Sequence, residues 1–189
     1  MRTPAIFIVM FCSFSFAAAP AFAQRTPTPG MWAVGGAIGA SLPTDASLDS
    51  GLDVAVSVEG YLTSRVSVRG QLGGSWWDIV GRGFTGTVTP LRLDGNVVYN
   101  WEGGAIHPFV TGGVGMYRYR SEIGAGPDTS DTKAGFNVGG GIEYFLTRRA
   151  TVTGEALYHK TGAFNTRAAT FNDGSFWTLG VGLKAYLGR

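Results

Sequence analysis

The last stretch of the chain, residues 175–188, alternates without a break. Trp177, Leu179, Val181, Leu183, Ala185 and Leu187 are apolar, and Thr178, Gly180, Gly182, Lys184 and Tyr186 stand between them. A β-strand sends successive side chains to opposite faces, so one face here is continuously greasy and the other small or polar. The same alternation predicts eight strands, over 30–42, 51–63, 65–77, 86–101, 106–119, 134–147, 149–160 and 175–188. In the fifth, Val110, Val114 and Met116 share the apolar face. Phe109, Tyr117 and Tyr119 lie on the other parity and leave its phase open.

Composition decides which way these faces turn. A soluble sandwich buries its apolar faces and shows polar ones to water. Here the non-apolar face is rich in Gly, Ala, Ser and Thr with a few isolated charges. The chain holds 30 glycines and only 15% charged residues. That face suits a narrow lumen, and the apolar face suits lipid. Lipid offers no partner to an unpaired backbone group, so a sheet that crosses a bilayer must close on itself. Connection lengths point the same way. The turns at 62–65, 102–105 and 147–149 are tight. Those at 43–50, 78–85, 120–133 and 161–174 are longer and rich in Pro, Gly, Asp and Ser. Residues 59–70 and 143–154 also share Glu, Leu, Thr, Arg, Val and Gly at matching places, which reflects repeated hairpin construction.

Residues 1–23 read as a cleavable secretion signal. Arg2 supplies the positive start, Ala5 to Ala19 the apolar run, and Ala21-Phe22-Ala23 the small-x-small cleavage site before Gln24. The apolar run is roughly 15 residues, short of the ~20 that a spanning helix needs. Residues 24–189 then form one domain. The single cysteine, Cys12, lies within the signal, so the mature domain has no disulfide and no thiolate metal site. The formal net charge of +2 drops by one with Arg2, and no basic patch points to nucleic acid.

With these features the chain resembles the small eight-stranded outer-membrane β-barrels of Gram-negative bacteria, the OmpA/OmpX-like family. Segments such as His107-Pro108-Phe109-Val110-Thr111-Gly112-Gly113-Val114-Gly115 and Gly139-Gly140-Gly141-Ile142-Glu143-Tyr144-Phe145 carry the resemblance. It implies an all-β, antiparallel up-and-down transmembrane barrel with both termini in the periplasm and four external loops. It also implies contact with outer-membrane lipid and lipopolysaccharide, and insertion by the barrel-assembly machinery. The assembly signal of such barrels falls on Gly182, Ala185 and Leu187. Ala185 replaces the usual aromatic, and Gly188-Arg189 extend past the usual end.

Asp53, Glu59, Arg69, Arg92, Asp94, Glu143, Glu155 and Lys184 share the inward face. An eight-stranded interior is just wide enough for side chains to fill, and buried charges persist when paired. These residues are therefore predicted to form a polar network filling the lumen rather than a selectivity ring. Aromatics gather toward strand ends: Trp32, Tyr61, Tyr99, Trp101, Tyr144 and Phe145 on the turn side. Trp76, Trp77, Tyr117, Tyr119, Tyr158, Phe176 and Trp177 lie on the loop side. Those pointing outward are predicted to form interfacial girdles.

One arrangement resembles catalytic chemistry. Outer-membrane lipid A deacylases are also eight-stranded barrels, with a His-x-Ser motif and a later acid. His159, Thr161 and Asp173 would take those places, with Thr161 as a poorer nucleophile. His107 and His159 are far apart, and Asp128 and Asp131 lack calcium-loop spacing, so neither a metal nor a cofactor is expected. The leading expectation is a structural or surface-interaction barrel acting on an unidentified extracellular partner through its third and fourth loops. The third carries Arg120, Glu122, Asp128, Asp131 and Lys133, and the fourth runs from Phe164 to Phe171. The alternatives are a narrow porin-like channel for small or hydrophobic solutes, and the deacylase-like hydrolase.

Overall fold

The computed structural model describes residues 27–80, 86–101, 104–124, 127–166 and 168–187. The predicted signal and cleavage site at Ala23, and the Gly188-Arg189 extension, lie outside these residues. The elements are β1 (Trp32–Pro43), β2 (Gly51–Tyr61), β3 (Val66–Ser75), β4 (Trp77–Asp78), β5 (Gly86–Asn100), β6 (Ile106–Ile123), β7 (Thr129–Phe145), β8 (Ala150–Thr161), β9 (Phe164–Asn165), β10 (Thr170–Phe171) and β11 (Phe176–Leu187).

Every long strand pairs antiparallel with its chain neighbours, and β11 pairs with both β8 and β1, which closes the sheet. Strands β3 and β4 act as one: Gly74 faces Leu91 and Trp77 faces Val88 in a single register along β5. The result is an eight-stranded barrel with no open edge, so each wall strand has a hydrogen-bonded neighbour on both sides. No helix among the described residues is long and apolar enough to cross a membrane. The barrel would cross with its strands.

The outer wall is apolar. Ile38, Val56, Leu93, Val97, Val114, Val138, Val181 and Leu183 are all exposed, while their chain neighbours turn inward. The fifth wall strand now has a definite phase. Val110, Val114 and Met116 face out, and Phe109, Tyr117 and Tyr119 are buried in the lumen.

One expectation is corrected. Segment 120–133 is not chiefly loop: β6 runs on to Ile123 and β7 begins at Thr129, with Arg120 facing Ser130 and Ser121 facing Thr129. Apolar periodicity ends near residue 119, but cross-strand pairing of Ser, Thr and charged residues carries the ribbon further. The loop-side aromatics also divide between two faces. Trp76, Tyr158 and Trp177 point outward or along the wall, whereas Trp77, Tyr117, Tyr119 and Phe176 are buried inside.

Candidate functional site

Chemistry-bearing side chains converge in the interior, which has three tiers among the described residues. At the turn end Met31, Ala33, Tyr61 and Tyr186 pack together with Phe145 against them. The Tyr61 hydroxyl donates to that of Tyr186 at 3.2 Å, and Tyr186 donates to Glu143 Oε2 at 2.7 Å.

The second tier is ionic. Glu59 on β2 lies directly across from Arg69 on β3. Arg69 Nε donates to Glu59 Oε2 at 3.1 Å, and its Nη1 donates to Glu155 on β8. Its guanidinium also sits 5.2 Å from the centre of the Phe109 ring. From β11, Lys184 Nζ reaches Glu59 Oε2 at 2.7 Å and Glu143 on β7. Glu59 takes a further hydrogen bond from the Ser67 hydroxyl. A second group joins Arg92 to Asp53 through a two-pronged contact, Nη1 to Oδ2 at 2.6 Å and Nη2 to Oδ1 at 2.9 Å. Ser75 completes Asp53 with a hydroxyl hydrogen bond at 2.6 Å. Asp94 Oδ2 stands 3.6 Å from Arg92 Nε.

Paired, fork-shaped contacts are the geometry in which buried ions recover their lost hydration. Glycine makes room for them: a Cβ at Gly73 would stand 2.4 Å from the Arg92 guanidinium carbon. This tier encloses a cavity of about 50 Å³, lined by Asp53, Ser57, Arg69, Gln71, Glu155 and Thr178 among others. That is enough room for ordered water beside the ion pairs.

The third tier, at the loop end, is aromatic. Trp77 donates its indole N–H to the Ser41 hydroxyl at 3.0 Å and meets Phe176 edge-on, 5.0 Å between ring centres. Tyr119 stacks on Phe164 at 4.2 Å, and Phe164 on Phe171 at 4.9 Å. The last two come from the short hairpin β9–β10, which folds back into the barrel mouth. Asn165 N–H donates to Asp131 Oδ2 at 3.0 Å, tying that hairpin to the β7 ribbon. The fourth loop therefore does not present Phe164 and Phe171 outside; both are fully buried. Sequence reasoning missed this plug. The available signal was parity: Trp77 shares the face of Ser75, and Tyr117 and Tyr119 share that of Phe109.

The structure does not join His159, Thr161 and Asp173 into a relay. His159 Nδ1 is hydrogen-bonded to the Tyr117 hydroxyl at 3.0 Å and Nε2 to the Thr178 hydroxyl at 3.3 Å, so both ring nitrogens are engaged elsewhere. Thr161 Oγ1 pairs with the Tyr119 hydroxyl at 2.7 Å. Asp173 accepts from Ser175 N–H at 2.9 Å and lies 3.5 Å from Lys160 Nζ. Partial burial pushes the Asp173 carboxyl up, but the Ser175 hydrogen bonds and the Lys160 charge outweigh it and hold the carboxyl below its ordinary value. A nucleophile needs its base within hydrogen-bond reach and that base held by a third group. Thr161 pairs with Tyr119 instead of with His159, and the group that holds the His159 ring is Tyr117, not Asp173.

On the outer surface, Trp32, Tyr99 and Trp101 stand near the turn end, with Tyr99 and Trp101 edge-on at 5.0 Å. Tyr158 and Trp177 pair at 5.1 Å near the loop end. Ala185 and Leu187 face outward on β11 and pair across with Val34 and Trp32, whereas Gly182 faces the lumen opposite Ala37.

The sequence model of the outer membrane protein beta-barrel domain matches residues 9–186. No curated protein matches the chain. Among solved structures, OprG of Pseudomonas aeruginosa superposes with a TM-score of 0.66 at 14% identity, covering 86% of this chain and 98% of that one. Neisserial surface protein A gives 0.58 at 13%, covering 82% and 96%. Ail, the attachment invasion locus protein of Yersinia pestis, gives 0.59 at 10%, covering 85% and 100%. At these identities the likeness is one of fold.

Proposed function

Because the chain belongs to the outer membrane protein beta-barrel domain family, we propose that it is a sealed barrel with a structural and surface-contact role. The observation that carries this reading is a lumen filled along its length by the tyrosine cluster, the ion network and the aromatic plug. What such a barrel offers its surroundings is its outer wall and its external elements. The wall meets outer-membrane lipid, and its loop-end rim meets lipopolysaccharide. The β6–β7 ribbon carries the surface contact. Its Arg120 pairs with Asp128 and Glu122, and its Lys133 with Asp131 at 3.1 Å, which stiffens a charged surface for an extracellular partner. Ail, whose name marks attachment and invasion, is built on the same fold.

Export by residues 1–23, with cleavage after Ala23, and insertion through the barrel-assembly machinery reading Gly182, Ala185 and Leu187 belong to the same reading. So does the absence of catalysis: purified barrel incubated with lipid A is expected to release no hydroxy-fatty acid.

The deciding experiment is planar-bilayer recording of refolded protein, with protease access to the 120–133 ribbon measured on intact cells. Electrical silence and an accessible ribbon are expected. A stable, reproducible conductance would establish the narrow channel instead.

A further inference from the structure

The two hairpins that share a sequence pattern also share a turn. Leu62-Thr63-Ser64-Arg65 joins β2 to β3, and Leu146-Thr147-Arg148-Arg149 joins β7 to β8. Leu62 N–H donates to Val66 O at 2.9 Å and Leu146 N–H to Ala150 O at 3.0 Å, and the Thr63 and Thr147 N–H groups reach the same two carbonyls at 3.1 Å. Each threonine hydroxyl then accepts the N–H two residues on, at 3.1 Å from Arg65 and 3.2 Å from Arg149. One set of bonds thus builds both turns, and its third position holds Ser64 in one and Arg148 in the other. The turn itself does not require a cation there.

Arg148 and Arg149 nonetheless stand side by side, and both are exposed. Neither side chain has an ion pair or a hydrogen bond among the described residues. The loop-end cations are placed otherwise: Arg120, Lys133 and Lys160 each lie beside a carboxylate. The described carboxylates nearest the turns, Glu59 and Glu143, are buried in the lumen and share Lys184. Glu102, in the β5–β6 turn, lies outside the described residues.

The two arginines also sit at a definite level of the wall. Leu146 continues the outward column of Val138 and Ile142 and is 51% exposed. Beside it, Ala150 on β8 faces Ala185 on β11, which faces Val34 on β1. Two alanines between Leu146 and Val34 make the lipid-facing wall low along this row. Leu146, Thr147, Arg148 and Arg149 line one cleft at its edge. The guanidiniums therefore stand where an apolar wall ends, which is the headgroup level of a bilayer.

We propose that the β7–β8 turn, through Arg148 and Arg149, holds the phosphate groups of acidic phospholipids such as phosphatidylglycerol. A guanidinium is permanently charged and offers paired N–H donors that match phosphate oxygens. A soluble anion would meet the two charges but not the apolar row. A phospholipid meets both, with its phosphate at the arginines and an acyl chain over Ala150 and Ala185. The inference rests on the reading of the chain as a membrane-crossing barrel with its short turns on the periplasmic side, and it names the lipid that this end selects.

The test is native mass spectrometry of full chain refolded in detergent micelles. Phosphatidylglycerol and phosphatidylcholine with identical acyl chains are added in equal amounts. An arginine at a membrane surface contributes about fivefold to the binding of anionic lipid, so phosphatidylglycerol adducts should exceed phosphatidylcholine adducts by about fivefold or more. The ratio should fall toward one in Arg148→Gln/Arg149→Gln. It should hold in Arg118→Gln, which removes a charge from the loop end. All variants should keep heat-modified gel migration, because the substituted side chains are exposed. Equal adducts of both lipids on wild type, a preference that survives the double substitution, or one lost equally in Arg118→Gln would each overturn the proposal. Wild type without heat-modified migration would overturn the barrel reading and this site with it, whereas folded protein without the preference overturns this site alone.

Discussion

Toward its turns the lumen is held by Glu59, Arg69, Glu143, Glu155 and Lys184; toward its loops it is held by Trp77, Tyr119, Phe164, Phe171 and Phe176. The ionic half draws every member from a long strand. Lys184 on β11 bridges carboxylates on β2 and β7, so the network is complete only when the barrel is closed. The aromatic half borrows two of its rings from a four-residue pairing, β9 with β10, inside a loop. One half is thus fastened by closure of the sheet and the other by a loop folding inward. The two halves should fail differently.

The largest effect is expected in the ionic half. Lys184→Ala leaves Glu59 and Glu143 buried without their shared cation, and breaking such a pair costs about 3–5 kcal/mol. The heat-modification midpoint should fall sharply while bilayer recordings stay silent, because the plug remains. Phe171→Ala comes next. Truncating a buried Phe costs roughly 3–5 kcal/mol, and here the low end applies because the hairpin can resettle into the gap. Its signature should be faster proteolysis within residues 162–174. The double variant Phe164→Ala/Phe171→Ala sharpens the contrast: continued silence means the ionic half seals by itself, and a stable current would mean that the rings do.

A lysine on the outer wall tests the same logic from outside. Lys184 is paired in the lumen, but Val181→Lys places its ammonium against lipid, at about 2–4 kcal/mol for a position near the bilayer midplane. Refolding yield into lipid vesicles should drop accordingly. The smallest effect belongs to Asp131→Asn, which weakens the contact to Asn165 N–H and the pairing with Lys133. Exposed pairs are worth about 0.2–1 kcal/mol, so the midpoint should barely move while cleavage of the fourth loop quickens.

The ionic half was legible before any coordinates, because strand parity alone put Asp53, Glu59, Arg69, Arg92, Asp94, Glu143, Glu155 and Lys184 on one face. The aromatic half was not. Phe164 and Phe171 lie in a segment with no periodicity to read, and Tyr117 and Tyr119 broke the expected pattern of an apolar exterior. Nor could spacing separate His159 and Thr161 from a catalytic pair, since whether a ring nitrogen meets Tyr117, Thr178 or Thr161 depends on which strands lie alongside.

Alternation along each strand, together with the small and polar make-up of one face and the alternating loop lengths, determined that the chain closes into a barrel with lipid outside and polar groups within, because a period of two allows a side chain one face or the other. Partners across the lumen were decided only by closure. Lys184 meets Glu59 and Glu143, Arg92 grips Asp53 with Asp94 at its flank, and a loop supplies the rings that cap the mouth. These are distances between residues far apart in the chain, set by register and curvature, and no local pattern encodes them.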